Sequence, residues 1–174
     1  MRTFLSDFLA NALATGLGAA IGIPIALWIA RLLERREERT RKARILSLLA
    51  KELEQNVHSM SEWAMSPSKP KDTAILHAQL KDQLWRAFSD GGELQWIKDP
   101  NVLAVLAHCY HLIAAARYLS DRHCETIEKA TTVVSFLDPD PLLRVLDDIV
   151  SSFGGAAGGF MELADRSLGD ESNV

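Results

Sequence analysis

From Phe8 to Ala30 the chain carries no charge, and only Asn11 and Thr15 are clearly polar. An α-helix rises ~1.5 Å per residue, so this run reaches roughly 34 Å, enough to cross a ~30 Å hydrocarbon core with some tilt. A lone segment in lipid must be helical, because only a helix satisfies its own backbone. The pattern predicts one transmembrane helix over 8–30, preceded by a short lead-in over 1–7. Beyond Leu32 and Leu33 the stretch to Arg44 is polar nearly all round, with opposite charges at helical spacing such as Glu37 with Arg41 and Glu38 with Lys42. It predicts a solvated juxtamembrane helix over 31–44. From Ile45 an apolar stripe of helical period runs through Leu48, Leu49, Leu53, Val57, Met60, Trp63 and Ala64. One long helix is therefore expected to leave the bilayer and end near Met65.

The remaining segments alternate helical stripes with turn chemistry. Ser66-Pro67-Ser68-Lys69-Pro70-Lys71 reads as a loop, with Asp72 capping a helix over 73–89 that carries Ile75, Leu76, Leu80, Leu84, Trp85 and Phe88. Asp90-Gly91-Gly92 ends it, and a short turn over 93–98 follows. Asp99 caps a helix with Pro100 at its first position, carrying Leu103, Leu106, Ala107, Tyr110, Ile113 and Ala114. Ser120-Asp121 marks a bend, and helix continues over 122–137. The β-branched run Thr131-Thr132-Val133-Val134 leaves a short strand open there. Asp138-Pro139-Asp140-Pro141 is a break and a new cap, followed by a helix through Leu146, Ile149 and Phe153. The glycine-rich run 154–159 is expected to interrupt that helix, since each glycine costs ~1 kcal/mol relative to alanine. The fold class is all-α: one membrane helix continuing into a cytosolic bundle of four or five helices over 45–168, with a disordered tail over 169–174.

Within the membrane segment the small residues recur at every fourth position: Ala10, Ala14, Gly18, Gly22, Ala26 and Ala30. Such a row lets two backbones approach closely, which is how membrane helices associate. Asn11 and Thr15 neighbour the row and could each hydrogen-bond across a helix pair, at ~0.6–2 kcal/mol. Pro24 frees a backbone carbonyl and predicts a kink. The bland alternative is that glycine and alanine are simply common in membrane helices. Read as an interface, Asn11, Thr15, Gly18, Gly22 and Pro24 point to a homo-oligomer.

Charge changes the picture by giving it a direction. Residues 31–44 hold seven basic side chains (Arg31, Arg35, Arg36, Arg39, Arg41, Lys42 and Arg44) against three acidic ones, a net of +4. Residues 45–174 hold 11 basic and 19 acidic side chains, a net of −8. A basic cluster directly after the span places the C-terminal part in the cytoplasm and the N-terminus outside, in an inner membrane. Trp28 falls near the cytoplasmic interface and Phe4 and Phe8 near the other. The arginines are placed to meet anionic headgroups, at ~1 kcal/mol each. A cleavable signal peptide competes, because Ala12-Leu13-Ala14 mimics a cleavage site, but the apolar run continues well past it.

Catalytic chemistry is poorly represented. His108, Cys109, His111, His123 and Cys124 form the best metal candidate, but they match neither C-x-x-C nor H-E-x-x-H. The plainer expectation is core cysteines, reduced in a cytosol, beside partly exposed histidines. Glu52 and Glu54, and Asp147 and Asp148, diverge around their helices, and no nucleophile elbow or phosphate loop occurs. No enzyme activity, metal or cofactor is expected. The acidic domain disfavours duplex nucleic acid. A symmetric assembly that brought copies of Lys51, Lys69, Lys71 or Arg86 together would offer a cationic pocket to an anionic nucleotide.

The layout, with the segments Leu53-Glu54-Gln55-Asn56 and Leu84-Trp85-Arg86-Ala87-Phe88-Ser89, resembles small bacterial single-pass inner-membrane proteins. It also resembles membrane effectors of anti-phage defence, including those of type III CRISPR systems. That resemblance implies a helical domain that senses a cyclic oligonucleotide and membrane helices that disrupt the bilayer. Two functions follow as expectations: an oligomeric membrane effector, or a membrane-tethered interaction scaffold with no activity of its own.

Overall fold

Three helices carry buried residues at spacings of three, four or seven, the pattern of helices packed lengthwise. On the first these are Leu46, Leu49, Leu53, Asn56, Met60 and Trp63; on the second, Val102, Leu106, Cys109, Ile113, Ala116, Ser120 and His123; on the third, Leu146, Phe153, Ala157, Phe160 and Ala164. All of them are buried. The computed structural model describes residues 2–132 and 140–169. The elements are α1 (Arg2–Met65), α2 (Lys69–Gln79), α3 (Gln83–Asp90), a 3-10 turn (Glu93–Trp96), α4 (Pro100–Thr132) and α5 (Asp140–Gly169). No strand occurs among the described residues, and the fold is all-α.

The chain divides into two compact units, Met1–Arg41 and Lys42–Val174. The first contains the N-terminal part of α1, which is helical from Arg2 onward and so includes the expected lead-in. Pro24 stands inside this helix, and helix continues on both sides of it.

In the second unit α4 is the centre, packing on both α2 and α5. Asp99 accepts a hydrogen bond from the Asn101 N–H at 2.8 Å, and Pro100 opens the helix, as those residue types dictate. Helix continues through Ser120-Asp121 without the expected bend. The seam of α4 is apolar as far as Ala116 and ends in the buried polar pair Ser120 and His123.

Three further expectations are corrected. The helix expected over 73–89 is two helices, with Leu80 in extended conformation between them (φ −64°, ψ 130°). The cause is tertiary. The Asn56 side chain accepts from the Lys81 N–H and donates to the Lys81 carbonyl, each at 2.7 Å, and Arg117 donates to the Leu80 carbonyl at 2.5 Å. Backbone groups freed by the break are thus satisfied by α1 and α4. Second, α2 begins at Lys69, so Asp72 lies inside its first turn and accepts from the Ser66 hydroxyl.

Third, α5 runs unbroken through the glycine-rich segment 154–159. Phe153, Ala157 and Phe160 are completely buried on its inner face, and each large side chain so buried gains ~1.5–3 kcal/mol. That gain outweighs the helix penalty of the glycines, whose open sides meet nothing within 4 Å of a built Cβ. Gly154→Ala with Gly158→Ala is therefore expected to stabilise the second unit by ~1–2 kcal/mol, read as a rise of several degrees in Tm by circular dichroism. An unchanged or lowered Tm would mean that these positions do not stand free.

At Gly92 the turn after α3 requires φ of +69°, which suits glycine. The expectations for Val133, Val134, Leu137, Asp138 and Pro139, and for the tail beyond Gly169, lie outside the described residues.

Candidate functional site

The most unusual surface belongs to the first unit. Ile21, Ile23, Ile25, Leu27, Trp28, Ile29, Leu32 and Leu33 are all exposed, Ile21 at 60% and Trp28 at 65%. Successive positions on a helix advance by 100°, so these residues cover its whole circumference. A helix exposing apolar residues all round is suited to lipid or to other helices. Gly18 and Gly22 lie on the same exposed run, and a Cβ at either would meet nothing within 4 Å. Thr15 is exposed as well, whereas the Asn11 side chain lies outside the described residues.

Arg31, Arg35, Arg36, Arg39, Arg41 and Arg44 follow, all exposed. Lys42 differs from them: its ammonium donates to the Ser167 carbonyl at 3.3 Å, in the last turn of α5. A cation there compensates the negative end of that helix. Lys42, within the basic stretch 31–44, thus also contacts the bundle.

Among the described residues, the stretch long and apolar enough to cross a membrane is Pro100–Thr126, in mid-chain within α4. The sequence pattern points instead to residues 8–30. A third of the Pro100–Thr126 window is buried. Val102, Leu106, Cys109, Ile113 and Ala116 on α4 are fully buried in the core of the second unit.

The second unit holds a buried polar cluster that sequence reasoning missed. Glu52 on α1 is 4% exposed, and both of its oxygens are used. Oε1 accepts from the Tyr110 hydroxyl at 2.6 Å, and Oε2 accepts from the Leu84 N–H at 3.0 Å. Leu84 is in the first turn of α3, whose own N-cap, Asp82, makes no side-chain cap bond. A carboxylate borrowed from α1 thereby caps α3 at the positive end of its dipole.

Asp82 is turned to cations instead, at 2.8 Å from Arg117 and 2.6 Å from Arg86. The Trp85 ring stacks on Tyr110 with centroids 4.8 Å apart. Burial, reinforced by the Glu52 carboxylate, pushes the Tyr110 phenol far above its ordinary range, so it stays a hydrogen-bond donor. Burial likewise pushes the Cys109 thiol up to about 11, and it remains an inert core thiol. The signal for Glu52 was present in the sequence: Ile45, Leu49, Glu52 and Asn56 are spaced four, three and four apart, in phase with the buried stripe.

The cations expected to gather across a symmetric assembly stand on three different helices among the described residues. Lys51 is exposed on α1. Lys69 on α2 pairs with Asp147 of α5 at 2.7 Å and lies over the Trp63 ring at 5.1 Å, while Arg86 on α3 pairs with Asp82. The Lys71 side chain lies outside the described residues. His108 and His111 are exposed, Cys109 and His123 buried, and Cys124 half-buried. Among the described residues no three His, Cys, Asp or Glu side chains are grouped to hold a metal ion.

No protein-family model matches the chain, and neither the curated proteins nor the solved structures compared with it gave a match.

Proposed function

We propose that the protein is a self-associating membrane protein, with residues 8–30 spanning the bilayer and the second unit in the cytoplasm. The observation that carries this reading is the exposure of Ile21 through Leu33 around the full circumference of a helix. Left in water, that surface would cost ~25 cal/mol for each Å² of apolar area. Lipid removes the cost, and the seven basic side chains of residues 31–44 orient the segment with its C-terminal side inward. Helices meet through the row that contains Gly18 and Gly22, with Asn11 and Thr15 beside it and Pro24 permitting a bend. The assembled helices then act on the bilayer as an effector, with the helical bundle as the assembly domain; the resemblance to anti-phage membrane effectors supports this part.

Gly18→Ile with Gly22→Ile in the full-length chain tests the reading. The double variant is expected to fall from oligomer to monomer in detergent, to remain membrane-bound, and to lose leakage of dye from reconstituted vesicles. Undiminished assembly would refute the helix contact. If wild-type vesicles hold their dye while assembly still depends on the two glycines, the protein is a membrane-tethered scaffold without activity of its own.

A further inference from the structure

Arg31, Arg35 and Arg36 differ from Arg39, Arg41 and Lys42 after them. They are exposed, and among the described residues no ion pair engages their guanidinium groups. Arg39, Arg41 and Lys42, by contrast, have partners within the chain. Glu34 and Glu37, also exposed, are the acidic side chains nearest in sequence to the three arginines.

Position along the helix separates the two groups further. With the hydrocarbon edge at Ala30, a rise of 1.5 Å per residue puts the backbone of Arg31 about 1.5 Å beyond it, Arg35 about 7.5 Å and Arg36 about 9 Å. The headgroup layer is roughly 5–8 Å deep on each side. Helical side chains lean toward the N-terminus, and arginine snorkels, so all three guanidinium groups fall at phosphate depth.

Direction around the helix is also set. At 100° per residue Arg31 stands about 180° from Gly22 and Arg35 about 140° from it. Arg31 and Arg35 are one turn apart, with Cβ atoms ~5–6 Å from each other, close enough for two planar forks to share one phosphate.

We propose that Arg31 and Arg35 form a clamp for the phosphate of an anionic phospholipid headgroup, on the side of α1 turned away from the Gly18–Gly22 contact. The clamp rests on the reading of residues 8–30 as a membrane span. It lets helices associate through their small residues while each carries its own anionic lipid at the periphery. Phosphate geometry favours the lipid, since bidentate guanidinium contacts fit its oxygens and a zwitterionic headgroup sets a competing cation beside them.

The test uses the full-length protein in vesicles of equimolar phosphatidylcholine and phosphatidylglycerol. Flotation reports membrane residence, and the ratio of lipids that co-purify in detergent reports selectivity. Wild type is expected to float and to retain phosphatidylglycerol in excess of the bulk ratio. Arg31→Gln with Arg35→Gln should float equally and return the ratio to bulk, with a loss of about 5-fold in enrichment per arginine. Arg86→Gln, whose partner is within the bundle, should change neither readout. Enrichment that persists in the double variant, or is absent from floating wild type, overturns the clamp and leaves the membrane reading standing. Wild type that fails to float overturns both.

Discussion

Truncation of Phe160 to alanine is expected to destabilise the Lys42–Val174 unit by ~3–5 kcal/mol, the range for deleting a fully buried aromatic ring. Phe160 is 0% exposed and lies one heptad after Phe153, on the seam that α5 turns toward α4. Its neighbours on that seam, Ala157 and Ala164, are small. They cannot swing into the vacated space, so the cavity term adds in full to the lost transfer energy. Glycines at 158 and 159 bear no side chain that could fill it either. Denaturant unfolding followed by tryptophan fluorescence measures the effect, and Phe160→Leu should lose clearly less. Equal loss in the two variants would mean that volume at this position is not what matters.

The second large effect concerns Glu52. Glu52→Ala strips the Tyr110 hydroxyl and the Leu84 N–H of their acceptor at once. The former is inside the core, and each polar group left buried without a partner costs ~1–3 kcal/mol. A loss of ~2–4 kcal/mol is expected, together with fraying of α3, whose N-cap residue Asp82 makes no side-chain cap bond. Tyr110→Phe removes one of the two bonds and keeps the stacked ring beneath Trp85, so ~1–2 kcal/mol is expected. Because the two residues share a hydrogen bond, the double variant should lose less than the two single losses combined. Strict additivity would show that the Glu52–Tyr110 bond contributes nothing in solution.

How far the fold was legible follows from where its determinants lie. The start of α4 was readable because cap and first residue are neighbours, Asp99 and Pro100, and act locally. The break between α2 and α3 was not, because its cause sits elsewhere in the chain: Asn56 and Arg117 hold the backbone of Lys81 and Leu80. Propensity pointed to an unbroken helix there, and tertiary hydrogen bonds overrode it. At residues 154–159 the override ran the other way. Glycine penalties of ~1 kcal/mol each predicted an interruption, and burial of Phe153 and Phe160 on either side of the run held the helix together.

The candidate site divides in the same manner. That Gly18, Gly22 and the arginines from Arg31 to Arg44 stand exposed was readable, because it follows from the local pattern of the helix. Glu52 carries no signal as half of a carboxylate pair, because Glu54 diverges from it around the helix. Its significance lies in its phase with Ile45, Leu49 and Asn56, and in partners 32 and 58 residues further on. Lys42 belongs with α5 for the same reason: its acceptor, Ser167, is 125 residues away.

The central claim is that the exposed apolar part of α1 resides in lipid. Alkaline carbonate extraction of membranes from cells that express the full-length chain tests it most directly. The account predicts that the protein stays in the membrane pellet and is released only by detergent. Recovery of the full-length chain in the supernatant, monodisperse without detergent, would contradict it.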